Sequence, residues 1–356
     1  MAETSLIEWT DATWNPVTGC TKVGPGCLNC YMFRDWPRLH GMGVKGYEGA
    51  PDQVALHPER LEQPRRWHTS KRVFTCSMGD LFHSAVPWEF IVQVFNTMAV
   101  TPQHTYQVLT KRPGRMAYFA EHIWPNAGLE WEAVGPISCA NCGEPYGAHN
   151  VNRKHFYVRG DWPGTAWPSN VWAGTSIEQE WDGQRHLVRR LDLLARVPAE
   201  VRFVSYEPAL GPVDFRKWLP GWCSSGTTFE SPRGTERYDI DGSPVYPIDW
   251  IIAGGESGPD ARPAHPDWFR SVRDQCQEAG VPFFFKQWGE WTDRYTISGS
   301  LPSGTSKWID PKGQFVDWQH DDVPLGSTMV AKVGKKAAGA LLDGREYRQF
   351  PEVVNA

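Results

Sequence analysis

Residues 171–178 read Val-Trp-Ala-Gly-Thr-Ser-Ile-Glu, a short apolar run that ends in polar side chains. A buried strand that passes directly into a polar turn is typical of one unit of a parallel β/α fold. Five other apolar runs have the same form and precede polar or glycine-containing turns: Val73–Cys76, Tyr106–Leu109, Val201–Val204, Trp250–Ala253 and Val281–Phe285. The repetition predicts parallel strands joined by crossover helices.

The turns after these runs carry most of the polar chemistry. With a first strand near 13–17, the chain has six or seven β/α units, with helices predicted at 87–100, 183–196 and 266–279. In a parallel β/α barrel such turns gather at the C-terminal face, where this fold places its sites. We therefore predict an α/β protein built on a barrel, with a doubly wound open sheet as the alternative.

Three segments depart from the repetition. Residues 122–168 and 216–247 are predicted insertions, the second a long loop because it is rich in Gly, Ser, Pro and Thr. Beyond residue 290 the β/α pattern is lost. We expect a barrel over 1–290 and an extension over 291–356 that packs on the barrel or caps its mouth.

Composition and charge place the chain among ordinary soluble proteins. Its 356 residues are 40% hydrophobic and 22% charged, and the formal charge is -5, which gives no general support for nucleic-acid binding. No apolar stretch is long enough to span a membrane, and the first residues do not resemble a signal peptide. We therefore predict a cytoplasmic protein without membrane contact, in which cysteines stay reduced and clustered ones bind metal.

Three of the eight cysteines lie close together on a glycine-rich loop, residues 15–31. Cys20, Cys27 and Cys30 have the spacing C-x6-C-x2-C, directly after the predicted first strand. Thiolates suit iron–sulfur clusters and zinc, and glycines let the backbone approach a cluster. Three ligands to a four-iron cluster leave one iron open to a substrate or cofactor. The alternative is a structural zinc site, closed by a distant cysteine or histidine.

The first insertion contains a second candidate metal site. Cys139 and Cys142 form a C-x2-C pair, and His149 or His155 could complete a zinc site, with Cys223 as another candidate ligand. The usual second C-x2-C pair is absent, so an insertion without zinc is the alternative.

Two other sets of residues have weaker signals. Cys76 and Cys276 fall in a predicted strand and a predicted helix, and we expect both to be inert core residues. Tryptophans near predicted loop ends usually pack in the core but can also stack on flat ligands. They are Trp162, Trp167, Trp172, Trp181, Trp288 and Trp291.

Several motifs occur in a fixed order along nearly the whole chain. They are the run from Gly19 to Tyr31, then Ser77–His83, Leu109–Pro113, Val171–Glu178, Glu207–Pro212, Gly254–Gly258, Phe285–Gly289, Gly334–Lys336 and Leu342–Gly344. In this order they resemble the three-Cys-motif phage protein family, a domain of unknown function. That family in turn is similar to the radical S-adenosylmethionine (SAM) enzymes, whose members include the spore photoproduct lyases.

The resemblance implies a partial β/α barrel with a [4Fe-4S] cluster on Cys20, Cys27 and Cys30. SAM would bind the open iron, and an electron from an external one-electron reductant would release a 5′-deoxyadenosyl radical that takes a hydrogen atom from the substrate. Radical SAM enzymes more often have C-x3-C-x2-C with an aromatic residue before the last cysteine. Here the first gap is six, Asn29 occupies that place, and Tyr31 follows.

Five residues are candidates for contact with SAM. Asp80 could bind the methionine amine or cap the segment after it, and Lys111 could bind a carboxylate, a substrate phosphate or only solvent. Glu178 and Glu207 could hold ribose hydroxyls or a polar substrate, or pair with nearby cations. Tyr31 is the aromatic residue nearest to the last cysteine.

The substrate class implied by the resemblance is a nucleic acid or modified base, in DNA repair or modification. Two other classes stay open: a non-catalytic iron–sulfur or zinc-dependent nucleic-acid-binding phage protein, and a barrel hydrolase that acts through Asp80, Glu178 and Glu207. The sequence does not define the oligomeric state.

Overall fold

The computed structural model describes residues 5–127, 166–221, 244–297, 304–319 and 322–352, together with the backbone of four short strands. Those strands are Ile137–Ser138, Pro145–Tyr146, Thr228–Ser231 and Gly234–Tyr238. The candidate zinc ligands Cys139, Cys142 and His149 lie outside the described residues.

Seven parallel strands form the central sheet in the same order as in the chain. They are β1 (Ala12–Trp14), β2 (Arg72–Thr75), β3 (Thr105–Thr110), β4 (Val171–Ser176), β5 (Arg202–Tyr206), β6 (Trp250–Gly254) and β7 (Phe283–Gln287). A doubly wound sheet reverses its strand order near its centre, whereas this sheet keeps one direction and curls into a half-barrel. The predicted partial β/α barrel is therefore confirmed.

Helices flank the sheet, and their bounds differ from the prediction at one place. The described α-helices are α1 (Tyr31–Gly41), α2 (Trp88–Ala99), α3 (Pro113–Tyr118), α4 (Arg189–Leu194), α5 (Pro266–Glu278) and α6 (Lys335–Ala338). The helix predicted at 183–196 is shorter, because Asp182 accepts the backbone N–H groups of Gln184 and Arg185 at 2.9 and 2.7 Å. This turn competes with a helix for the same backbone groups.

The first strand also differs from the prediction at 13–17. It ends at Trp14, two residues before Pro16, which has no N–H group to give to a strand ladder. Beyond Pro16, the short strand Val17–Thr18 pairs antiparallel with Ala55–Leu56 and so starts the cysteine loop.

Two apolar layers pack against the sheet, one on each face. The outer layer lies between the strands and the helices and contains residues such as Phe95, Leu191 and Phe269. The inner layer fills the N-terminal half of the half-barrel with large side chains from successive strands. They are Trp9, Phe74, Trp172, Phe203, Trp250, Ile252 and Phe284. Trp9 and Phe74 of this layer also line the cavity described below.

Gly174 in β4 makes this inner packing feasible, because a Cβ atom there would lie 2.4 Å from the Phe203 ring. We expect Gly174→Ala to lower the free energy of unfolding by about 1–3 kcal/mol, as overpacking of a core does. Urea unfolding checks this prediction. Gly41→Ala at the exposed end of α1 is the control, since a Cβ atom there meets no neighbour within 4 Å. Equal stability of both variants would contradict the packing argument.

The residues after β7 form a different kind of structure. An antiparallel sheet contains, in spatial order, Trp291–Asp293, Thr328–Lys332, Ser306–Ile309 and Phe315–Val316. The chain then returns to the barrel, where Phe285 donates its N–H to the Tyr347 carbonyl at 2.9 Å and Arg348 bridges to Phe284. The returning segment covers the edge of β7, which would otherwise expose unpaired backbone groups.

The insertion predicted as a long loop at 216–247 instead contains three short antiparallel strands, Thr228–Ser231, Gly234–Tyr238 and Pro244–Val245. In the first insertion, Ile137–Ser138 pairs with Pro145–Tyr146. Among the described helices, none combines the length and the apolar character that a membrane crossing requires.

Candidate cofactor site

A cavity of about 410 Å³ lies at the C-terminal ends of the strands. Cys20, Cys27 and Cys30 line it from the cysteine loop. The turns after β2, β3, β5 and β6 and the end of β7 complete its walls with Asp80, Lys111, Arg112, Glu207, Glu256, Lys286 and Gln287. The cysteine loop and the polar turns therefore share one cavity, at the face where β/α barrels place their sites.

Local backbone structure positions the three cysteines. The N–H of Gly19 donates to the Met78 carbonyl at 3.0 Å, which ties the start of the loop to the turn after β2. A 3-10 turn at Pro25–Cys27 presents Cys27, and α1 begins directly after Cys30. Each thiol is therefore attached to a separate, ordered piece of backbone.

The three thiols are soft donors, which iron–sulfur clusters and zinc both use. Within the described part of the chain, no three His, Cys, Asp or Glu side chains are arranged to hold a metal ion. A zinc ion needs each sulfur about 2.3 Å away. In a four-iron cluster each cysteine binds a different iron, which places the thiols further apart. Three soft donors that line one cavity suit such a group in donor type.

Burial favours the protonated form of two of the thiols, Cys20 and Cys30. Burial raises the pKa of Cys20 to about 12, with Asp80 adding to the rise and Arg112 opposing it. Burial likewise raises the pKa of Cys30. Because thiolates are the metal ligands, loading of the site would release protons.

Arg112 at the end of β3 anchors the Cys20 side of the loop. Its Nη1 lies 3.5 Å from Cys20 Sγ and 2.8 Å from Asp80 Oδ2. Its Nη2 donates to the backbone carbonyl and the hydroxyl of Thr21 at 3.1 and 2.9 Å. The guanidinium thereby joins the loop to the turns after β2 and β3.

Asp80 lines the cavity, but its lone pairs are already occupied. An ionised carboxylate offers about four acceptor sites, and Asp80 accepts from Thr110, Arg112, the Phe82 N–H and, at 3.4 Å, the Lys111 N–H. Burial favours the neutral carboxyl, yet Arg112 and Thr110 bring its pKa below the ordinary value. Asp80 caps a turn, and no helix begins there, since α2 begins at Trp88.

Glu178 and Lys111 form a buried pair at the edge of the site. Glu178 is 0% exposed, contacts Lys111 Nζ at very short range and accepts from Arg190 Nη1 at 3.0 Å. Lys111 lines the cavity, whereas Glu178 is not among its lining residues. The structure therefore places Glu178 as the partner of two cations.

Glu207 and Tyr31 both face the cavity. Lys286 Nζ lies 2.8 and 3.1 Å from the two carboxylate oxygens of Glu207, and Gln287 approaches at 3.4 Å. Tyr31 donates its hydroxyl to the Ser77 carbonyl in a very short contact. Lys286 thus joins Lys111 and Arg112 among the cations on the cavity wall.

Sequence reasoning missed one thiol of the site. Cys76 is buried, as expected of a core residue, but it lies one residue beyond β2 and lines the cavity. Its φ of 62° is in the left-handed region, which side chains other than glycine seldom adopt. The polar turn that starts at Ser77 was the available signal that the strand ends before Cys76.

Most of the tryptophans considered for stacking are core residues. Trp167, Trp172, Trp288 and Trp291 are buried, and Trp181 is 46% exposed. Trp162 lies outside the described residues. Aromatic stacking at the mouth of the barrel is therefore not supported by these four side chains.

Fold and cavity define a partial β/α barrel protein with a three-cysteine loop at the C-terminal face of its sheet. The chain belongs to the family described as "Protein of unknown function (DUF5131)", whose sequence model matches residues 4–351. This match confirms the expected membership of a family of unknown function along nearly the whole chain. No curated protein and no solved structure is significantly similar to it.

Proposed function

We propose that this protein is a radical SAM enzyme that holds a [4Fe-4S] cluster on Cys20, Cys27 and Cys30. The observation that carries the proposal is the shared cavity of these three thiols at the C-terminal end of a half-barrel. The ordered motifs resemble the three-Cys-motif phage protein family, and that family's similarity to the radical SAM enzymes supports the proposal independently of the geometry.

When bound, such a cluster supplies the electron that cleaves SAM to methionine and a 5′-deoxyadenosyl radical. The chain contributes three thiolates for iron and two cavity cations, Lys111 and Lys286, that suit the carboxylate of SAM. Glu207 offers acceptors for ribose hydroxyls. Apolar residues of the cavity, such as Phe74 and Leu109, help to exclude water from a reactive species.

The substrate that we propose is a nucleic acid or a modified base, as the motif resemblance implies. An external one-electron reductant completes the reaction. The buried tryptophans and the net charge of -5 add no support for the substrate class, which rests on the resemblance alone.

Anaerobic reconstitution tests this function directly. The protein is loaded with iron and sulfide, reduced with dithionite and mixed with SAM. We expect about four iron atoms per chain, a brown thiolate-to-iron absorption and 5′-deoxyadenosine among the products. Zinc in the anaerobically purified protein, with no 5′-deoxyadenosine after reconstitution, would instead favour the non-catalytic binding protein.

Glu207→Gln tests the contact with SAM. The substitution keeps the shape of the side chain but removes the charge that pairs with Lys286 and one acceptor for the ribose. We expect the KM for SAM to rise about tenfold, the effect of one lost charged hydrogen bond, while iron content stays at the wild-type value. SAM-cleavage kinetics with parallel iron analysis measure both quantities. An unchanged KM would exclude Glu207 from the SAM site.

A further inference from the structure

We propose that Glu256 and Arg262 are positioning residues that hold Cys27 and Cys30 in place. They clamp the loop segment that carries these two cysteines to the turn after β6. This inference builds on the proposed function because it concerns the same thiols. It concerns the metal-free protein as well, so it can be tested even if no cluster forms.

Glu256 is the centre of the clamp. Its Oε2 accepts from Asn29 Nδ2 at 3.1 Å and from the N–H and Nε of Arg262, both at 2.8 Å. Its Oε1 accepts from Arg262 Nη2 at 2.5 Å. Asn29 stands between Cys27 and Cys30 in the chain, so one carboxylate is bonded directly to the segment that carries both thiols.

Two more contacts complete the clamp. Arg262 Nη2 also donates to the Pro25 carbonyl at 3.0 Å, and Asn29 Nδ2 also donates to the Asp260 carbonyl at 2.9 Å. The loop is therefore fixed on both sides of Cys27, by Glu256, Asp260 and Arg262, which follow β6.

Burial makes these contacts strong. The Glu256 side chain is 5% exposed, and although burial alone would raise its pKa, Arg262 and Asn29 lower it, so the carboxylate is charged. Hydrogen bonds between charged groups are shorter and stronger than neutral ones, and those of a planar guanidinium also fix direction. A charged, bidentate contact of this kind is suited to hold the cysteine loop in a fixed position.

The turn that carries Glu256 is itself rigid. The N–H of Gly255 donates to the Gln287 carbonyl and that of Glu290 to the Glu256 carbonyl, both at 3.0 Å. A Cβ atom on Gly255 would lie 1.8 Å from the Trp288 carbonyl oxygen, so only glycine allows the turn to pack this closely on the segment after β7. The clamp thus fixes the position of Cys27 and Cys30 relative to the barrel.

The loop has two separate anchors. Arg112 holds Cys20 and Thr21 to the turns after β2 and β3, whereas Glu256 holds the Cys27 and Cys30 side to β6. Two exposed contacts also link these parts: Lys22 Nζ donates to the Leu28 carbonyl at 3.1 Å, and Tyr31 donates to the Ser77 carbonyl. The buried, charged contacts on the Cys27 and Cys30 side are those of Glu256. Loss of Glu256 should therefore free Cys27 and Cys30 but leave Cys20 in place, a pattern that general loosening of the protein would not produce.

The test measures thiol reactivity in the metal-free, full-length protein. A cysteine-specific alkylating reagent is added, and mass spectrometry follows the labelling rate at each cysteine. In Glu256→Ala we expect Cys27 and Cys30 to react at least about tenfold faster, the factor that corresponds to a lost charged hydrogen bond. Cys20 and the core residue Cys276 keep their wild-type rates.

Three further variants sharpen the result. Glu256→Gln retains one acceptor oxygen for Asn29 and should restore part of the protection. Asn29→Ala removes the contact from the loop side and should reproduce the selective labelling. Glu290→Ala is the matched control, because Glu290 bonds the Gly258 N–H of the same turn and has no bond to the cysteine loop in the hydrogen bonds described. Its labelling rates should equal those of the wild type.

A second measurement uses the reconstituted protein. We expect Glu256→Ala to bind less iron and to give an altered electron paramagnetic resonance spectrum after reduction, both partly restored by Gln. Faster labelling of all cysteines to the same extent, or no selective change at Cys27 and Cys30, would overturn the clamp. Selective labelling in a protein that binds no cluster would support the clamp and reject the proposed function.

Discussion

Cys20→Ala, Cys27→Ala and Cys30→Ala are each expected to yield protein without a four-iron cluster and without SAM cleavage. A cluster with an open iron needs all three of its protein thiolates, and two remaining thiols cannot hold the other irons. The three side chains line one cavity, and Cys76 is the other described cysteine that lines it. Each variant therefore lacks a third thiol unless Cys76 supplies one. Iron analysis, absorption and 5′-deoxyadenosine formation measure the loss.

Cys276→Ala is the control for these variants. Cys276 is a buried residue of α5 and is not among the lining residues of the cavity, so its loss should leave iron content and SAM cleavage at the wild-type level. Hydrolytic activity that survives in all three cysteine variants would contradict the radical SAM function and favour the hydrolase alternative. Iron retained by Cys27→Ala alone would point to Cys76 as a substitute ligand.

Glu178→Gln is expected to lower the free energy of unfolding by about 3 kcal/mol, because removal of one partner from a buried ion pair leaves unpaired charge. Glu178 balances both Lys111 and Arg190 inside the protein. Glu121→Gln is the matched control, since Glu121 pairs with Arg196 at a more exposed position and should cost at most about 1 kcal/mol. Urea unfolding of the three proteins measures both values.

The effect of Glu178 should also depend on pH. Burial alone would raise its pKa, but Lys111 and Arg190 lower it below the ordinary value of 4.5. A carboxyl group with a lowered pKa stabilises the folded state above its unfolded pKa and loses that contribution as the pH falls. The advantage of the wild type over Glu178→Gln should therefore be full at pH 7 and shrink below about 4.5. A pH-independent difference would contradict the charge argument.

Local patterns were sufficient for the fold and for the grouping of the polar turns around one cavity. The apolar run at 171–174 marks a strand that the structure extends to Val171–Ser176, and Ser176 at its polar end lines the same cavity as the other turns. The rule that β/α turns meet at one face then placed Cys20, Asp80 and Glu207 around one cavity. Both inferences need only hydrophobic periodicity and the order of strands.

Pairing inside the site could not be predicted in the same way. Glu178 and Glu207 look alike in the sequence, yet one is buried between two cations and the other faces the cavity. The difference depends on Arg190, which reaches Glu178 from α4. Asn29 and Glu256 are 227 residues apart, and no local pattern reports such a contact. Periodicity locates elements, whereas long-range packing selects partners.

The clamp also has a consequence for biosynthesis. Cys20, Cys27 and Cys30 are translated well before Glu256 and Arg262. At usual rates of synthesis the interval between Cys30 and Arg262 is roughly 10 to 50 s. During that interval the thiols of the nascent chain lack the clamp to the turn after β6. They also lack the burial that protects them from oxidation. We therefore expect metal delivery to follow translation, and oxygen to be most damaging to newly made chains.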